Sequence, residues 1–145
     1  MPKQYCTFHL ADLFFGVDVQ EVQEVIRYQE MTPVPLASPV IRGLINLRGQ
    51  IVTAIEMREQ LGFEKRPEGK LPMNVVLRTE DGAVSLLVDE IGDVLEVDET
   101  RYERSPENVR HLVGDLVPGV YKLEGRLMLV LDTKRTLDAV ANVAA

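Results

Sequence analysis

The first 26 residues show two different spacings of hydrophobic positions. Cys6, Phe8 and Leu10 alternate with more polar neighbours, and this period of two predicts a half-buried β-strand. A second strand is predicted over 14–17. From residue 19 the spacing changes to three and four, which predicts a short helix of about two turns. The residues with this spacing are Val19, Val22, Val25 and Ile26.

Three pairs of apolar runs further along the chain predict β-hairpins. In each pair the runs are separated by a polar residue followed by glycine, which readily adopts the positive φ of tight turns. The predicted strands are 44–47 with 51–55 around Arg48-Gly49, 74–78 with 83–88 around Asp81-Gly82, and 116–123 with 127–131 around Glu124-Gly125.

The segments between these hairpins are short and mostly polar. Residues 64–72 and 101–110 contain proline and predict loops. A short helix is predicted over 57–61. Asp132 is a suitable N-cap for a terminal helix. The apolar residues of that helix are Leu137, Val140 and Ala141.

Two blocks of the sequence repeat in the same order. Residues 43–61 overlie 119–137 at an offset of 76, with ten of 19 positions identical or conservative. Residues 19–26 overlie 88–95 at an offset of 69. The repeat favours two similar β-lobes over the alternative of one sandwich with similar hairpins. Because short strands avoid exposed edges by curling, each lobe is expected to form a small barrel, with a groove between the two.

Composition limits the cellular setting and the classes of ligand. The formal net charge of −7 disfavours binding to nucleic acid or to anionic membranes. No run approaches the roughly 20 apolar residues of a membrane span, so no direct membrane insertion is expected. The single cysteine, Cys6, cannot form an internal disulfide and fits a cytoplasmic protein.

Candidate catalytic and cofactor-binding patterns are sparse. His9 and His111 lack neighbours at metal-binding spacing, and no glycine-rich phosphate-binding motif is present. Cys6 lies on the apolar face of its strand, which indicates a buried or interface thiol. We therefore expect no catalytic residue, no metal and no cofactor. The alternative class, a small-molecule enzyme, would use a carboxylate pair such as Asp89-Glu90 or Asp98-Glu99.

Several segments together resemble one known family, from about Gln4 to Val140. They are 16–19 (GVDV), 22–25 (VQEV), 32–35 (TPVP), 41–52 (IRGLINLRGQIV), 87–95 (LVDEIGDVL) and 125–132 (GRLMLVLD). The pattern I-x-G-x-x-N-L-R-G within 41–49 is the most specific of them. The sequence is similar to the CheW family of chemotaxis coupling proteins.

The resemblance implies a fold, a function and partners. It implies a mainly β chain forming a single CheW-like domain over 1–145, with two packed five-stranded SH3-like barrels, short helices and a C-terminal helix. Subdomain 1 is expected over about 13–80, and subdomain 2 over about 81–140 together with strand 3–11. The implied function is that of a non-catalytic scaffold coupling methyl-accepting chemoreceptors to the histidine kinase CheA. Such a protein is cytoplasmic, associates with membrane arrays through its partners, is monomeric in isolation and forms rings in arrays.

The resemblance also assigns interaction residues. Arg48, with Gly43 beside it and Glu24 to orient it, is expected to bind the cytoplasmic tip of the receptor. The expected surface for the kinase's regulatory domain is exposed and includes Val19, Val22, Val25 and Cys6. The alternative is that these valines belong to the core, where valine is usually found. The chain departs from the family pattern in two places. Glu56 replaces the usual aspartate of a Pro-Val-Val-Asp-Leu-like segment, and 106–109 lacks the phenylalanine that some relatives use in a second ring contact.

Overall fold

The computed structural model of the chain describes residues 2–80 and 82–144, with side chains as far as Val140. Asp81, in the predicted second turn, and the side chain of Ala141 lie outside the described residues. The strands are β1 (Pro2–Leu10), β2 (Leu13–Asp18), β3 (Val22–Ile26), β4 (Ile41–Leu47), β5 (Gln50–Glu56), β6 (Met73–Thr79), β7 (Gly82–Val88), β8 (Glu90–Asp98), β9 (Glu103–Arg104), β10 (Gly119–Leu123) and β11 (Arg126–Val130). The helices are α1 (Met57–Gln60), α2 (Glu107–Val113) and α3 (Thr133–Ala144), and short 3₁₀ turns lie at Val19–Glu21, Glu99–Arg101 and Gly114–Leu116.

The strands form two sheets, which confirms the predicted mainly β fold with few helices. Lobe 1 is the five-stranded sheet in the order β3-β6-β7-β5-β4. Lobe 2 is the six-stranded sheet in the order β8-β1-β2-β11-β10-β9. In each sheet one neighbouring pair is parallel, β5 with β7 and β2 with β11, and the other pairs are antiparallel.

Both sheets curl until their two edges approach each other. In lobe 1 the chain that leaves edge strand β3 forms an antiparallel bridge between Thr32 and Leu44 of the opposite edge strand, with both N–H···O distances at 2.8 Å. In lobe 2 the chain leaves edge strand β8 at Asp98 and enters the opposite edge strand, β9, at Glu103. So short a connection keeps the two edges close together. The curled sheets leave few open strand edges, as the expected barrels require.

The repeat seen in the sequence is also a repeat of strand pairing. Reading the two sheets in parallel matches β3 with β8, β6 with β1, β7 with β2, β5 with β11 and β4 with β10. Even an irregularity recurs. Val22 and Val25 oppose Leu77 and Val75 across a β-bulge, and Ile91 and Val94 oppose Phe8 and Cys6 across another. The equivalent positions are Val22 with Ile91, Val25 with Val94, Leu77 with Phe8, and Val75 with Cys6, and the two members of each pair are 69 residues apart. The sequence offset therefore corresponds to a structural equivalence.

The predicted helix from Val19 to Ile26 is wrong. Only Val19–Glu21 forms a 3₁₀ turn, begun by Asp18, whose carboxylate accepts a hydrogen bond from the N–H of Gln20 at 2.9 Å. The remainder is strand β3. Its bulge inserts one extra residue, so Val22 and Val25 face the same side at a spacing of three. A bulged strand thus imitates the spacing of a helix.

The expected lobe boundaries are also wrong. Strand β2 was assigned to the first lobe and β7 to the second, but the sheets place them the other way round. The first lobe is contiguous over 22–88, whereas the second combines 2–18 with 90–130. The cause is the parallel pairing of β2 with β11, which joins positions more than 110 residues apart. Hydrophobic periodicity carries no information about such distant partners.

The helices show both confirmed and missed features. Glu56 caps α1 by accepting a hydrogen bond from the N–H of Arg58, and Asp132 accepts one from the N–H of Arg135 at the start of α3. Glu56 thus caps α1 in the place of the usual aspartate, and the predicted terminal helix is confirmed. The predicted loop over 101–110 is wrong, because it contains β9 and the first turns of α2. Pro106 precedes α2 and provides no side-chain cap, so the usual sequence signal for a helix start is missing.

Both faces of the curled sheets are buried in their central strands. One cluster of core residues spans the two lobes and includes Phe8, Phe15, Leu77 and Leu86. Each lobe also has a smaller cluster on the opposite face of its own sheet. Double burial explains why β6 and β7 contain nearly continuous apolar runs instead of strict alternation. It also makes the lobes parts of one folding unit, because the largest cluster exists only when they are packed together.

Asp89 connects the two lobes through a network of ion pairs. It lies in the single-residue link between β7 and β8, where the chain passes from lobe 1 to lobe 2. Arg58 donates to both of its carboxylate oxygens, at 2.9 and 2.6 Å, and Arg66 donates to one at 2.9 Å. The N–H of Ala11, in the turn between β1 and β2, donates at 2.9 Å. Arg66 also forms a two-pronged pair with Glu56.

The pKa of Asp89 reflects this network. Burial alone would raise the pKa of the carboxyl group, but the hydrogen bonds from Arg58, Ala11 and Arg66 outweigh burial, and the pKa is lowered. The side chain therefore stays ionised throughout the physiological pH range. One carboxylate thus holds α1 and the 62–72 loop of lobe 1 against the first hairpin of lobe 2.

Candidate protein-interaction surface

Arg48 stands on a turn whose backbone would suit a smaller residue. The two-residue turn joins Leu47 to Gln50, and both of its residues have positive φ, 51° at Arg48 and 86° at Gly49. Asn46 supports the turn, because its side-chain oxygen accepts a hydrogen bond from the N–H of Gly49 at 3.0 Å. Left-handed φ is costly for a long side chain and easy for glycine or asparagine. Turn stability therefore does not explain an arginine at this position.

The guanidinium of Arg48 forms an ion pair with Glu24. Glu24 belongs to β3 and Arg48 to the β4–β5 turn, so the pair links the two opposite edges of the curled sheet. The hydrogen bond from Arg48 lowers the pKa of Glu24. The side chain of Arg48 is 67% exposed, which leaves donor groups available to a partner. The expectation that Glu24 lies against Arg48 thus agrees with the geometry.

Gly43 has a different surrounding from the one expected. It is buried in β4, and a Cβ added there would lie 2.7 Å from the carbonyl oxygen of Thr32. The segment around Thr32, which leaves β3 and pairs with Leu44 to close lobe 1, occupies this space. Gly43 is also five residues from Arg48 along a strand, a separation of about 16 Å. The prediction that Gly43 lies beside Arg48 and admits a receptor backbone is wrong, because the chain's own backbone makes the close approach.

Val22 is the second expected contact residue that the structure corrects. Its side chain is 8% exposed and belongs to the core cluster shared by the two lobes. The predicted exposed position is wrong for Val22, since the bulge of β3 turns it towards Leu77. Val25, three residues further on, is 42% exposed. Val19 is half-buried in the 3₁₀ turn, which packs against both β1 and β6.

Cys6 lies half-buried in β1, opposite Val94 of β8. Burial raises the pKa of the Cys6 thiol, and the nearby carboxylate of Asp18 raises it further. The thiol therefore stays protonated at neutral pH and is a poor nucleophile, in agreement with an interface or core thiol. The cross-strand pair of Cys6 and Val94 in lobe 2 is equivalent to the pair of Val75 and Val25 in lobe 1.

Two exposed apolar side chains were not singled out in the sequence. Ile51 follows the Arg48-Gly49 turn and is 61% exposed, and Val94 is 53% exposed. Ile51 lies beside the Arg48-Gly49 turn and Val94 lies opposite Cys6, so both border residues that were expected to make contacts. A signal for Val94 was available, because the repeat aligns it with Val25. Ile51 had none, since its strand alternates as a core strand does.

The groups considered for catalysis do not form a site. His111 is exposed, with Glu107 as its nearest charged neighbour at 3.9 Å, and His9 packs on the ring of Phe14. Asp89 is committed to the network between the lobes. Among residues 2–80 and 82–144, no group of three or more His, Cys, Asp and Glu side chains is arranged to hold a metal ion. In the same part of the chain, no helix is long and apolar enough to cross a bilayer.

Comparison with known proteins gives a consistent result over nearly the whole chain. The model of the CheW-like domain family matches residues 4–141. The chain is 31% identical to the chemotaxis protein CheW of Thermotoga maritima, over 92% of this chain and 87% of that one. It is 29% identical to CheW of Bacillus subtilis, over 90% and 84% of the two chains. The crystal structure of the scaffolding protein TtCheW from Thermoanaerobacter tengcongensis superposes with a TM-score of 0.82 at 29% identity, covering 91% and 90%.

The chain therefore belongs to the CheW-like domain family. The resemblance carried by the I-x-G-x-x-N-L-R-G segment is confirmed by sequence and by fold.

Proposed function

We propose that this chain is a chemotaxis scaffold that couples chemoreceptors to the histidine kinase CheA, and that it catalyses no reaction. The observation that carries this proposal is the family match over residues 4–141 together with the shared fold. The CheW family is one of non-catalytic scaffolds, and its members with this fold act in chemotaxis. We place the protein in the cytoplasm, monomeric in isolation, held at receptor arrays through its partners and arranged in rings there.

The receptor contact in this proposal centres on Arg48 and Glu24. A guanidinium offers a fixed fork of donors that suits the carboxylate and amide side chains of helical receptor tips. Glu24 limits the positions that the arginine side chain can adopt, which reduces the entropy lost on binding. The backbone strain at Arg48 supports the assignment, because a residue that disfavours its own turn needs a reason outside the turn. Gly43 serves this surface indirectly, by allowing lobe 1 to close.

The kinase contact in this proposal uses exposed or half-buried apolar residues on β1, β3 and β8 and in the 3₁₀ turn before β3. Val25 and Cys6 stay in it, with Val19 at the margin, and Val94 joins them as the cross-strand neighbour of Cys6. Val22 is excluded as a direct contact because its side chain is in the core. The partner we propose for this surface is the regulatory domain of CheA, which is similar in fold.

Arg48→Asn is the variant that tests the receptor contact. Asparagine tolerates the left-handed backbone, so the turn should survive while the guanidinium is lost. Affinity for a receptor fragment should fall by about 1.5–3 kcal/mol, roughly tenfold to a hundredfold. Affinity for the kinase's regulatory domain should barely change. Isothermal titration of the variant against each partner measures both quantities.

Two further variants separate charge from geometry. Arg48→Lys keeps the positive charge but loses the fork, and we expect it to recover only part of the receptor affinity. Arg101→Gln removes an exposed arginine elsewhere on the surface and should have no effect. Equal loss of affinity for both partners on Arg48→Asn, or no loss for either, would contradict the assignment of this residue.

A further inference from the structure

A cavity of about 420 Å³ in lobe 2 collects three arginine side chains from three different elements. Arg104 comes from β9, Arg110 from α2 and Arg135 from α3. Tyr102 and Pro118 provide its apolar walls, and Asp115 is the only carboxylate among the lining residues. This cavity lies in the other lobe from the Arg48 turn, so what it binds is independent of the proposed receptor contact.

The charge in this cavity is opposite to that of the protein. The whole chain carries a formal charge of −7, whereas the cavity has three guanidinium groups and one carboxylate. Within the described residues, no carboxylate lies within 4.0 Å of the guanidinium of Arg104 or of Arg110. All three arginines are exposed to solvent, and Arg104 and Arg110 are therefore open to an anionic ligand.

Parts of the cavity are held in place before any ligand arrives. Arg135 donates to the carbonyl oxygen of Asp115 at 3.0 Å and pairs with Asp132 at 3.5 Å. The ring of Tyr102 packs edge-on against Tyr121 and lies over Gly119, where a Cβ would come within 2.0 Å of the ring. A guanidinium that is already held in place lowers the entropy cost of binding.

We propose that this cavity binds a dianionic phosphate group, either free or as the ester of a small organic molecule. Guanidinium forks match phosphate oxygens, and the two guanidinium groups without an ion pair among the described residues, those of Arg104 and Arg110, match the charge of a phosphate monoester near neutral pH. The volume falls within the range of about 300–1,000 Å³ typical of small-molecule sites. Tyr102 and Pro118 offer an apolar surface for the organic part of an ester. The concave shape favours such a ligand over the flat face of an acidic protein.

Titration of the intact protein at low ionic strength with inorganic phosphate and with phenyl phosphate tests this proposal. We expect saturable changes in the amide NMR signals around the cavity, in residues 102–119 and at 135. Arg110→Gln should weaken binding at least about tenfold, whereas Arg101→Gln, an exposed arginine outside the cavity, should leave it unchanged. Both substitutions remove one positive charge, so they are matched in net charge. Circular dichroism of each variant checks that it is folded.

Tighter binding of phenyl phosphate than of inorganic phosphate would support an ester as the ligand, and equal binding would support the free anion. Affinity should fall when the pH is lowered from 7.5 to 5.5, because the second pKa of a phosphate monoester is about 6. Equal weakening by the two arginine variants would overturn the proposal, since it would show only general charge attraction. Absence of saturation, or binding of an acidic peptide but of neither phosphate, would also overturn it.

Discussion

Lobe 1 and lobe 2 share one plan of strands but carry different charges at the same place. The ion pair of lobe 1 joins Glu24 on β3 to Arg48 on the β4–β5 turn. The equivalent positions in lobe 2 are Asp93 on β8 and Glu124 on the β10–β11 turn, and both are acidic. No attraction between these two positions is possible in lobe 2, yet the sheet closes there as well. The fold therefore does not need the pair, and lobe 2 serves as a natural control for lobe 1.

The backbones of the two turns differ as well. Arg48 and Gly49 both have positive φ, whereas in lobe 2 only Gly125 does, at 77°. Lobe 1 thus combines a strained turn, a long cationic side chain and an acidic partner, while lobe 2 has a relaxed turn with no pair. This difference supports the proposal that the Arg48 turn serves binding instead of folding, and substitutions at equivalent positions test it.

The largest expected effect comes from placing a charge at equivalent bulge positions of the two lobes. Val22→Glu would bury a carboxylate in the shared core and should destabilise the protein by at least about 3 kcal/mol. Ile91→Glu, at the equivalent but half-buried position of lobe 2, should cost clearly less because the carboxylate can reach water. Urea unfolding of both variants gives the two values. A Val22→Glu protein as stable as the unmodified one would restore the surface assignment of Val22.

Removing the charge that links the lobes should have the next largest effect. Asp89→Asn should lower the free energy of unfolding by about 2–3 kcal/mol at pH 7, below the roughly 3–5 kcal/mol for breaking a fully buried pair, because the side chain is partly solvated. Asp93→Asn, on the exposed edge of lobe 2, is the matched control and should change little. Chemical unfolding monitored by circular dichroism measures both.

The Asp89 contribution should also depend on pH in a defined direction. The pKa of Asp89 is lowered in the folded protein, so its stabilisation is present above the pKa of an unfolded aspartate, about 3.9. It is lost as the pH falls from there through the lower pKa of the folded state. The difference in stability between the unmodified protein and Asp89→Asn should therefore shrink in acid. A difference that stays constant down to pH 2 would argue against an ionised Asp89 as the link.

Equivalent glycines of the two lobes should respond unequally to alanine. At Gly43 the added Cβ meets a backbone carbonyl of the segment around Thr32, which cannot move without opening the sheet. At Gly119 it meets the ring of Tyr102, a side chain that is 42% exposed and can rotate away. We expect Gly43→Ala to cost about 1–3 kcal/mol and Gly119→Ala less than about 1 kcal/mol. Thermal unfolding compares them, and the opposite order would contradict this account of how lobe 1 closes.

The smallest expected effect is that of copying the Arg48 position into lobe 2. Glu124→Arg would place a cation near Asp93 on an exposed turn, where an ion pair contributes about 0–1 kcal/mol. Because the turn backbone differs, the new side chain should not reproduce the lobe 1 geometry. The number of receptor fragments bound per protein should stay the same as without the substitution. A second bound fragment would show that charge alone defines the receptor surface.

What the sequence could predict depended on how local each feature is. The hairpins at Arg48-Gly49 and Glu124-Gly125 are local, and their strands were located within a few residues. Strand β3 was predicted as a helix because its bulge gives Val22 and Val25 a helical spacing. The exchange of β2 and β7 between lobes depends on a parallel pairing with β11 that no local pattern records.

In the candidate site, too, only the local features could be predicted from the sequence. Arg48 could be proposed as a contact from the sequence, because it belongs to the I-x-G-x-x-N-L-R-G pattern and Glu124 replaces it in the repeat. Its contact with Glu24 requires the closure of lobe 1, which depends on the bridge at Thr32 and is invisible in the sequence. The burial of Val22 and the position of the Thr32 carbonyl next to Gly43 also depend on tertiary structure, and the expectations for both residues were wrong.

The order of strands along the chain has a consequence for biosynthesis. Strands β1 and β2 leave the ribosome before their sheet partners β8 and β11. All of lobe 1 can pair in the meantime, because its strands are contiguous. During that interval the first hairpin keeps Phe8 and Phe15 exposed, side chains that are fully buried in the finished protein. Until its final hairpin emerges, a nascent chain of this fold therefore exposes the apolar side chains of the β1–β2 hairpin. The completed lobe 1 offers the surface on which these side chains pack in the finished protein.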